Sequence, residues 1–204
     1  MQRAPIRHAR AFTLIELMVV IAIVAVVLSL AAPSFRKMIE MQRLRGVQDQ
    51  LVTDLQFARS EAARSGIPVH FALKRLSGGA GACYILFTDP NLDSRNWAPP
   101  CDCLAAAGAR CVDATMKEVR TVQLPASQLI DLQERPSTVD HIAFDPVTLG
   151  LIGPPNDKLP PGPYTFKVDA MYDKPRALRT IVELSGRPLV CAPTGSTIAI
   201  APCT

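Results

Sequence analysis

The feature that most constrains this chain is a long apolar run near its start that carries a single charge. The run covers residues 12–32 and opens with Phe12-Thr13-Leu14-Ile15-Glu16. In a helix, residues rise about 1.5 Å each, so the run spans roughly 30 Å, the thickness of a bilayer's hydrocarbon core. We therefore predict a membrane-crossing helix, in which the Glu16 carboxylate costs ~3 kcal/mol and marks a functional position.

Glu16 needs a cationic partner, and cleavage of the chain supplies one. The run follows a basic leader, residues 1–11, with three arginines: Arg3, Arg7 and Arg10. A cut between Ala11 and Phe12 places a new α-amine one helical turn from Glu16. In helices staggered side by side, Glu16 of one subunit pairs with the amine of its neighbour. We therefore predict that Glu16 sets the stagger of an assembly.

This stretch resembles the leader and N-terminal helix of type IV prepilins. The resemblance rests on Arg10-Ala11, on Phe12-Thr13-Leu14-Ile15-Glu16-Leu17, and on the unbroken apolar run before Pro33. In that family a prepilin peptidase cuts before the Phe and N-methylates it, and the Glu steers assembly. The resemblance implies processing and methylation at Ala11 and Phe12, and assembly through Glu16. The family usually has Gly before the cut, and Ala11 is similarly small.

Three other interpretations of the run compete with processing and assembly. A plain signal anchor explains the hydrophobicity but not the position of Glu16. A secretory signal peptide cut near residues 30–32 has suitable small residues there, but its apolar region is too long. Glu16 also fits a contact with another helix that has no role in assembly.

The net charge of +4 belongs mostly to the leader. Removing its three arginines leaves 19 basic against 18 acidic residues, so the mature chain gives no global argument for a nucleic-acid partner. The positive-inside rule does not settle orientation, because four basic residues follow the run: Arg36, Lys37, Arg43 and Arg45. The prepilin motif decides it: leader in the cytoplasm, domain outside.

All six cysteines follow the apolar run: Cys83, Cys101, Cys103, Cys111, Cys191 and Cys203. An even number in an exported domain indicates three disulfides formed in an oxidising compartment, with fifteen pairings open. We favour Cys191 with Cys203, closing a C-terminal hairpin. The alternative is a metal site at Cys101, Cys103 and Cys111, but their spacing is not that of a zinc ribbon. We expect no metal and no cofactor.

The periodicity of the remaining chain predicts an α+β fold, a long N-terminal helix packed on an antiparallel sheet. Apolar residues recur at helical steps up to Gly66 and Pro68, which signal the helix end. We expect a leader (1–11), a transmembrane and filament-core helix (12–32), its amphipathic continuation (33–66) and a periplasmic β-rich domain (67–204). Strands are predicted over 68–76, 82–88, 116–124, 139–144, 164–170, 178–184, 189–192 and 197–201.

The domain resembles the GspH/FimT group of minor pseudopilins and minor pilins. The resemblance rests on the segment 54–63 before the first strand, on His141 to Pro146 with Gly150, and on Ser185-Gly186-Arg187 before Cys191. It implies a structural subunit of a type IV pilus or of a type II secretion pseudopilus. Neighbouring genes distinguish these two machines: a secretion ATPase and secretin favour export, and pilus genes favour the pilin.

No catalytic motif is found, so we expect a substrate of the prepilin peptidase rather than an enzyme. The expected partners are that peptidase, other minor and major pilins or pseudopilins, and the inner-membrane assembly platform. The expected location is the bacterial inner membrane, crossed once, and then the filament.

An alternative function is DNA binding during natural transformation. Some FimT-like minor pilins bind DNA through a C-terminal Gly-Arg-x-Arg motif, and this chain has Gly186-Arg187-Pro188-Leu189, without the second arginine. If the C-terminal strands lie side by side, Arg187 joins three further basic residues in a phosphate-binding patch: Lys174, Arg176 and Arg179. Otherwise Arg187 is a turn residue paired with a carboxylate such as Glu183.

Overall fold

The structure, a computed structural model, describes residues 13–76, 81–90, 101–135, 141–152 and 165–203. The predicted processing residues, Ala11 and Phe12, lie outside these ranges. The chain divides into two compact units, Met1–Glu40 and Met41–Thr204. The described part of the first unit is helical from Leu14 onward, and the second combines helix with two antiparallel sheets.

Helix α1 covers Leu14–Ser65, close to the predicted 12–66. It ends as the sequence indicates, because Gly66 takes a left-handed conformation (φ 67°) and donates its N–H to the carbonyl of Ala62 at 3.0 Å. Within the described residues no single helical stretch is both long and apolar enough to cross a membrane. Two stretches separated by a bend, Leu14–Ser29 and Ser34–Ser65, pass that test together.

The first sheet has five strands in the order β3-β2-β1-β5-β6, all antiparallel where they pair. Its strands are β1 (Val69–Arg75), β2 (Ala82–Thr88), β3 (Lys117–Leu124), β5 (His141–Phe144) and β6 (Leu151–Ile152). β2 matches its predicted range and is buried along its whole length, as its continuous apolar run indicates.

The second sheet has four antiparallel strands in the order β4-β7-β8-β9. They are β4 (Asp131–Arg135), β7 (Phe166–Asp173), β8 (Arg176–Val182) and β9 (Pro188–Cys191). A short 3₁₀ turn, Ala126–Gln128, precedes β4 and so connects the first sheet to the second.

The core of the second unit forms where the apolar stripe of α1 meets both sheets. Five helix residues are fully buried there: Leu44, Leu51, Leu55, Ala58 and Ala62. They belong to one cluster with Phe71 and Tyr84 of the first sheet and with Val168 and Val182 of the second. Burying a leucine side chain contributes about 1.5–3 kcal/mol, so this stripe is the main attachment of the helix to the sheets.

Three parts of the strand pattern differ from prediction. The predicted strand at 197–201 is wrong, because Ser196 and Thr197 hydrogen-bond to the carbonyls of Ala177 and Pro175 instead of a strand neighbour. β4 was not predicted, since its sequence Asp-Leu-Gln-Glu-Arg is mostly charged and polar. β6 was missed because it has only two residues.

Candidate functional site

The start of α1 holds the predicted assembly residue in the first helical turn. Thr13 is the N-cap: its hydroxyl accepts the backbone N–H of Glu16 at 3.3 Å, and its carbonyl accepts that of Leu17 at 3.2 Å. The order Thr13-Leu14-Ile15-Glu16 is that of a capping box, and a carboxylate in the first turn also favours the helix dipole. Glu16 is exposed, so it is accessible to a group outside this chain.

The helix around Glu16 exposes apolar side chains on every side. Leu14 is 77% exposed, Ile15 66% and Leu28 62%, and their apolar neighbours between them are similar. Water-soluble surfaces rarely present a contiguous apolar area of this size. A segment of this kind is covered in its working state by lipid or by other protein chains.

Further along, α1 is fastened to the first sheet by a buried polar cluster. The Asp54 carboxylate is inaccessible to solvent and accepts the hydroxyl of Tyr84 at 2.7 Å and the guanidinium of Arg120. Burial, and then the hydrogen bond to Asp54, raise the pKa of the Tyr84 hydroxyl. Arg120 also lies over the ring of Phe57, 4.8 Å from its centre. The cluster fixes the rotation of the helix over the sheet.

The family-like residues around Gly150 and Gly186 have a structural role. Arg59 of α1 donates to the carbonyl of Leu149 at 2.9 Å, and a Cβ added at Gly186 would lie 2.3 Å from that same oxygen. A Cβ added at Gly150 would lie 2.6 Å from the carbonyl of Leu184. The glycines are needed because the β5–β6 and β8–β9 turns contact each other closely, and Arg59 ties the β5–β6 turn to the helix.

The structure joins all six cysteines in three disulfides. Cys191 pairs with Cys203, as the sequence favoured, and the other bonds are Cys83–Cys103 and Cys101–Cys111. Cys83 lies in β2, and the loop that holds the other three covers a second apolar cluster on the first sheet, which contains Ala72, Ile85 and Phe87. The three thiols considered for a metal site are thus consumed in disulfides.

The four basic residues considered for a DNA-binding patch are not brought together, although the strands lie side by side. Arg179 is paired with Asp169 at 2.5 Å and Arg176 with Asp173 at 2.5 Å, so both charges are locally balanced. The C-terminal strands do lie side by side, but Arg176 begins β8 and Arg187 follows its far end, about 20 Å away at ~3.3 Å per residue. Lys174 is exposed at the Arg176 end.

Arg187 lies alone at the β8–β9 turn. It is exposed, and within residues 165–203 it forms no ion pair with Glu183, so that part of the sequence interpretation is wrong. The turn itself is closed by the N–H of Gly186 on the carbonyl of Glu183 at 2.8 Å. Arg187 is therefore a turn residue whose charge faces solvent.

Two buried histidines, His70 and His141, lie on the same face of the first sheet as the disulfide loop. His70 stacks on Phe87 with ring centres 5.0 Å apart, and His141 lies 6.2 Å from His70. Burial, helped by the nearby His141, lowers the pKa of His70 to about 3. His70 is therefore neutral at physiological pH and serves as a packing residue.

Comparison with known protein families shows the class of protein to which this chain belongs. Residues 6–32 match the prokaryotic N-terminal methylation motif, which contains the predicted cut site and Glu16. Together with the long helix on antiparallel sheets, this motif defines a pilin-like subunit. Residues 48–186 match the model of the type II transport protein GspH, and the chain belongs to this family. It is a structural subunit of the pilin and pseudopilin class, not an enzyme, and the family assembles with other such subunits.

Two solved structures are also similar, both crystal forms of the type IV minor pilin FimU from Pseudomonas aeruginosa. One has a TM-score of 0.46 and 14% identity, and the match covers 74% of this chain and 90% of that chain. The other has a TM-score of 0.44 and 14% identity, covering 72% and 92%. No match to a curated protein is found.

Proposed function

We propose that this chain is a minor pilin or pseudopilin that is cut between Ala11 and Phe12, methylated on Phe12, and assembled through Glu16. The observation that carries the proposal is an exposed carboxylate in the first turn of a helix whose apolar side chains are exposed all round. The prepilin peptidase performs the processing, and the mature chain then joins a type IV pilus or a type II secretion pseudopilus.

The pairing of Glu16 follows from charge and geometry. An apolar environment makes an unpaired carboxylate costly, and a neighbouring subunit's Phe12 amine neutralises it. Because the amine exists only after cleavage, unprocessed chains lack the partner. Assembly therefore requires cleavage. Because Glu16 pairs with the neighbour's amine, its position along the helix sets the axial offset between subunits. A subunit of this kind stacks beneath another one, since a neighbour is needed to supply the amine.

The proposal includes a topology. The leader lies in the cytoplasm, the apolar helix crosses the inner membrane once, and the β-rich domain with its disulfides lies in the periplasm. The inner-membrane assembly platform then moves the subunit into the filament beside other minor and major pilins or pseudopilins.

Mass spectrometry of the mature N-terminus tests the processing step. The expected product begins with N-methylated Phe12 in cells that contain the peptidase, and the intact leader persists in cells that lack it. A chain that begins near residue 32, or that retains Met1 in both strains, would contradict the proposed processing.

Substitution of Glu16 tests the assembly step separately. Glu16→Ala is expected to insert in the membrane and be processed normally but to be missing from sheared filaments. Glu16→Asp keeps the charge and is the matched control, which should retain partial incorporation. Equal incorporation of the parent and Glu16→Ala would rule out the assembly role.

A second candidate function, DNA binding, rests on Arg187 alone, because its charge is exposed and unpaired within residues 165–203. Such a contact predicts weak, salt-sensitive affinity for phosphates. A gel shift with duplex DNA at low salt compares the full chain with Arg187→Gln, and Lys174→Gln is the control for loss of an exposed charge elsewhere. No binding at low salt, binding that Arg187→Gln leaves unchanged, or an equal loss in both variants removes this function.

A further inference from the structure

The two disulfides of the loop on the first sheet are interleaved along the chain. In sequence order the four cysteines are Cys83, Cys101, Cys103 and Cys111, and the structure joins the first with the third and the second with the fourth. The third bond, Cys191–Cys203, joins two cysteines that are consecutive in the order of cysteines along the chain. Thus two of the three disulfides differ from those that pairing in chain order would form.

Chain entropy does not favour the native pairs. Cys83 is 20 residues from Cys103 and 18 from Cys101, and Cys111 is 10 residues from Cys101 and 8 from Cys103. The cost of closing a loop grows only with the logarithm of its length, so the correct and the exchanged pairings form at about equal rates. In a chain exported from its N-terminus, Cys101 also reaches Cys83 before Cys103 does.

The exchanged pairing, Cys83–Cys101 with Cys103–Cys111, also requires only a small change in the position of the loop. Cys101 and Cys103 are two residues apart, and both side chains are buried in the same apolar cluster on the first sheet. Exchanging them slides the segment by two residues without turning it over, so both sulfurs still face the sheet. An early chain therefore has no steric reason to reject the wrong bonds.

The native and the exchanged pairings place the loop segment at different positions on the sheet. The contacts that favour the native position exist only after the sheet has formed. Lys74 of β1 binds the Asp102 carboxylate at 2.6 Å, and Gln123 of β3 donates to the carbonyl of Cys103 at 2.8 Å. A further bond, from the N–H of Asp102 to the carbonyl of Arg110 at 2.7 Å, lies within the loop and does not involve the sheet. Strand β1 thus binds the segment at Asp102 and strand β3 binds it at Cys103, so the paired sheet is the template for the correct disulfides.

From the interleaved bonds and this late template, we propose that the chain is a client of a dithiol disulfide isomerase. A thiolate of the isomerase attacks a misplaced Cys83–Cys101 bond, forms a mixed disulfide and releases one cysteine thiolate of the chain. That thiolate attacks the Cys103–Cys111 bond, and successive exchanges end when the last free thiolate displaces the isomerase.

The exchange has no net electron transfer, because each bond that breaks is replaced by one that forms. The initial oxidation is a separate step, in which six thiols give three disulfides and three equivalents of a small-molecule or protein disulfide are reduced, each accepting two electrons and two protons. The native Cys83 and Cys103 are almost completely buried, so the isomerase must act before the loop closes on the sheet. The inference rests on the proposed function only for export to an oxidising compartment.

Peptide mapping distinguishes the pairings. A protease that cuts before aspartate separates Cys101 from Cys103 at Asp102, and trypsin at Arg110 separates Cys103 from Cys111. The four cysteines then lie on four peptides, and each of the three pairings gives different linked masses.

The test uses the full chain in detergent, reduced, denatured and then reoxidised with a small disulfide, with or without a catalytic amount of a dithiol isomerase. Without the isomerase we expect only about half of the chains to reach the interleaved pairing early, and with it nearly all of them. No export is needed, so the outcome is independent of the filament proposal.

Two double variants provide the controls. Cys101→Ser with Cys111→Ser leaves no interleaved pair, and its oxidation should be insensitive to the isomerase. Cys191→Ser with Cys203→Ser keeps the interleaved pairs and should remain sensitive. Native protein with Cys83–Cys101 bonds, no effect of the isomerase on the parent, or an equal effect on the first double variant would each overturn the proposal.

Discussion

Two stretches of one helix, α1, meet opposite environments. Between residues 14 and 28 its apolar side chains are largely exposed, whereas between 44 and 62 the apolar stripe is fully buried against two sheets. Each stretch also holds a carboxylate: Glu16 is exposed, and Asp54 is buried with two partners from the same chain. The first stretch depends on other molecules for its cover, and the second completes its contacts within the chain.

The difference shows how one helix can serve two purposes. The stripe between 44 and 62 is one face wide, with charged residues opposite, which suits a helix that lies on a sheet. The run between 14 and 28 is apolar all round, which suits complete enclosure. Substitutions in the second stretch are therefore expected to change stability, and those in the first to change assembly.

The largest expected contrast is between two leucine-to-alanine substitutions. Leu55→Ala opens a cavity in the core and should lower the free energy of unfolding of the domain by about 3 kcal/mol. Leu17→Ala removes a side chain that is 60% exposed and should leave that free energy unchanged. Urea unfolding of the full chain in detergent, followed by the circular dichroism of the sheets, measures both. Equal effects would remove the contrast.

A second pair compares the two carboxylates. Asp54→Asn weakens the bonds to Tyr84 and Arg120 and should cost about 2 kcal/mol of domain stability, as expected for hydrogen bonds to a buried charge. Glu16→Gln, the matched change in the first stretch, should cost nothing in the same urea experiment. The Tyr84→Phe variant should reproduce part of the Asp54 effect, and additive losses in the double variant would contradict a shared cluster.

The third prediction concerns pH and only the β-rich domain. The pKa of His70 is about 3 in the folded domain against 6.5 as its ordinary value, so on acidification the unfolded chain takes up the proton first. Stability should therefore fall between pH 6.5 and about 3, by about 1.4 kcal/mol at pH 5.5 relative to neutral pH. Comparing the slopes of the parent and His70→Phe isolates this histidine. A slope that the substitution leaves unchanged would exclude it as the source.

The smallest effect is expected at the helix start. Thr13→Val removes the hydroxyl that accepts the Glu16 N–H, a cap that contributes about 1 kcal/mol locally. Hydrogen exchange of the Glu16 amide should then accelerate about fivefold. Thr13→Ser keeps the hydroxyl and should exchange like the parent. Domain unfolding should not respond to either variant.

Local sequence signals were sufficient to predict those elements whose structure depends mainly on their own residues. The extent of α1 follows from apolar spacing and from Gly66, and β2 follows from a continuous, mostly apolar run rich in residues that favour strands. The pair Cys191 and Cys203 is close in sequence, so proximity suggested it. Each of these depends on contacts that the segment makes with near neighbours in the chain.

Features that depend on residues distant in the sequence could be seen only in the tertiary structure. β4 is a strand because β7 pairs with it, although its own residues are mostly charged and polar. The patch was expected only if the C-terminal strands lie side by side. They do, but the ion pairs of Arg176 and Arg179, and the distance between Arg176 and Arg187, follow from the hairpin order and prevent the patch. The interleaving of Cys83–Cys103 with Cys101–Cys111 was likewise set by the sheet. The sequence by itself determined the helix and the methylation motif, because each is read within one continuous segment, and it indicated the family through short segments spread along the chain. The pairings required the fold, because loop entropy hardly distinguishes partners two residues apart.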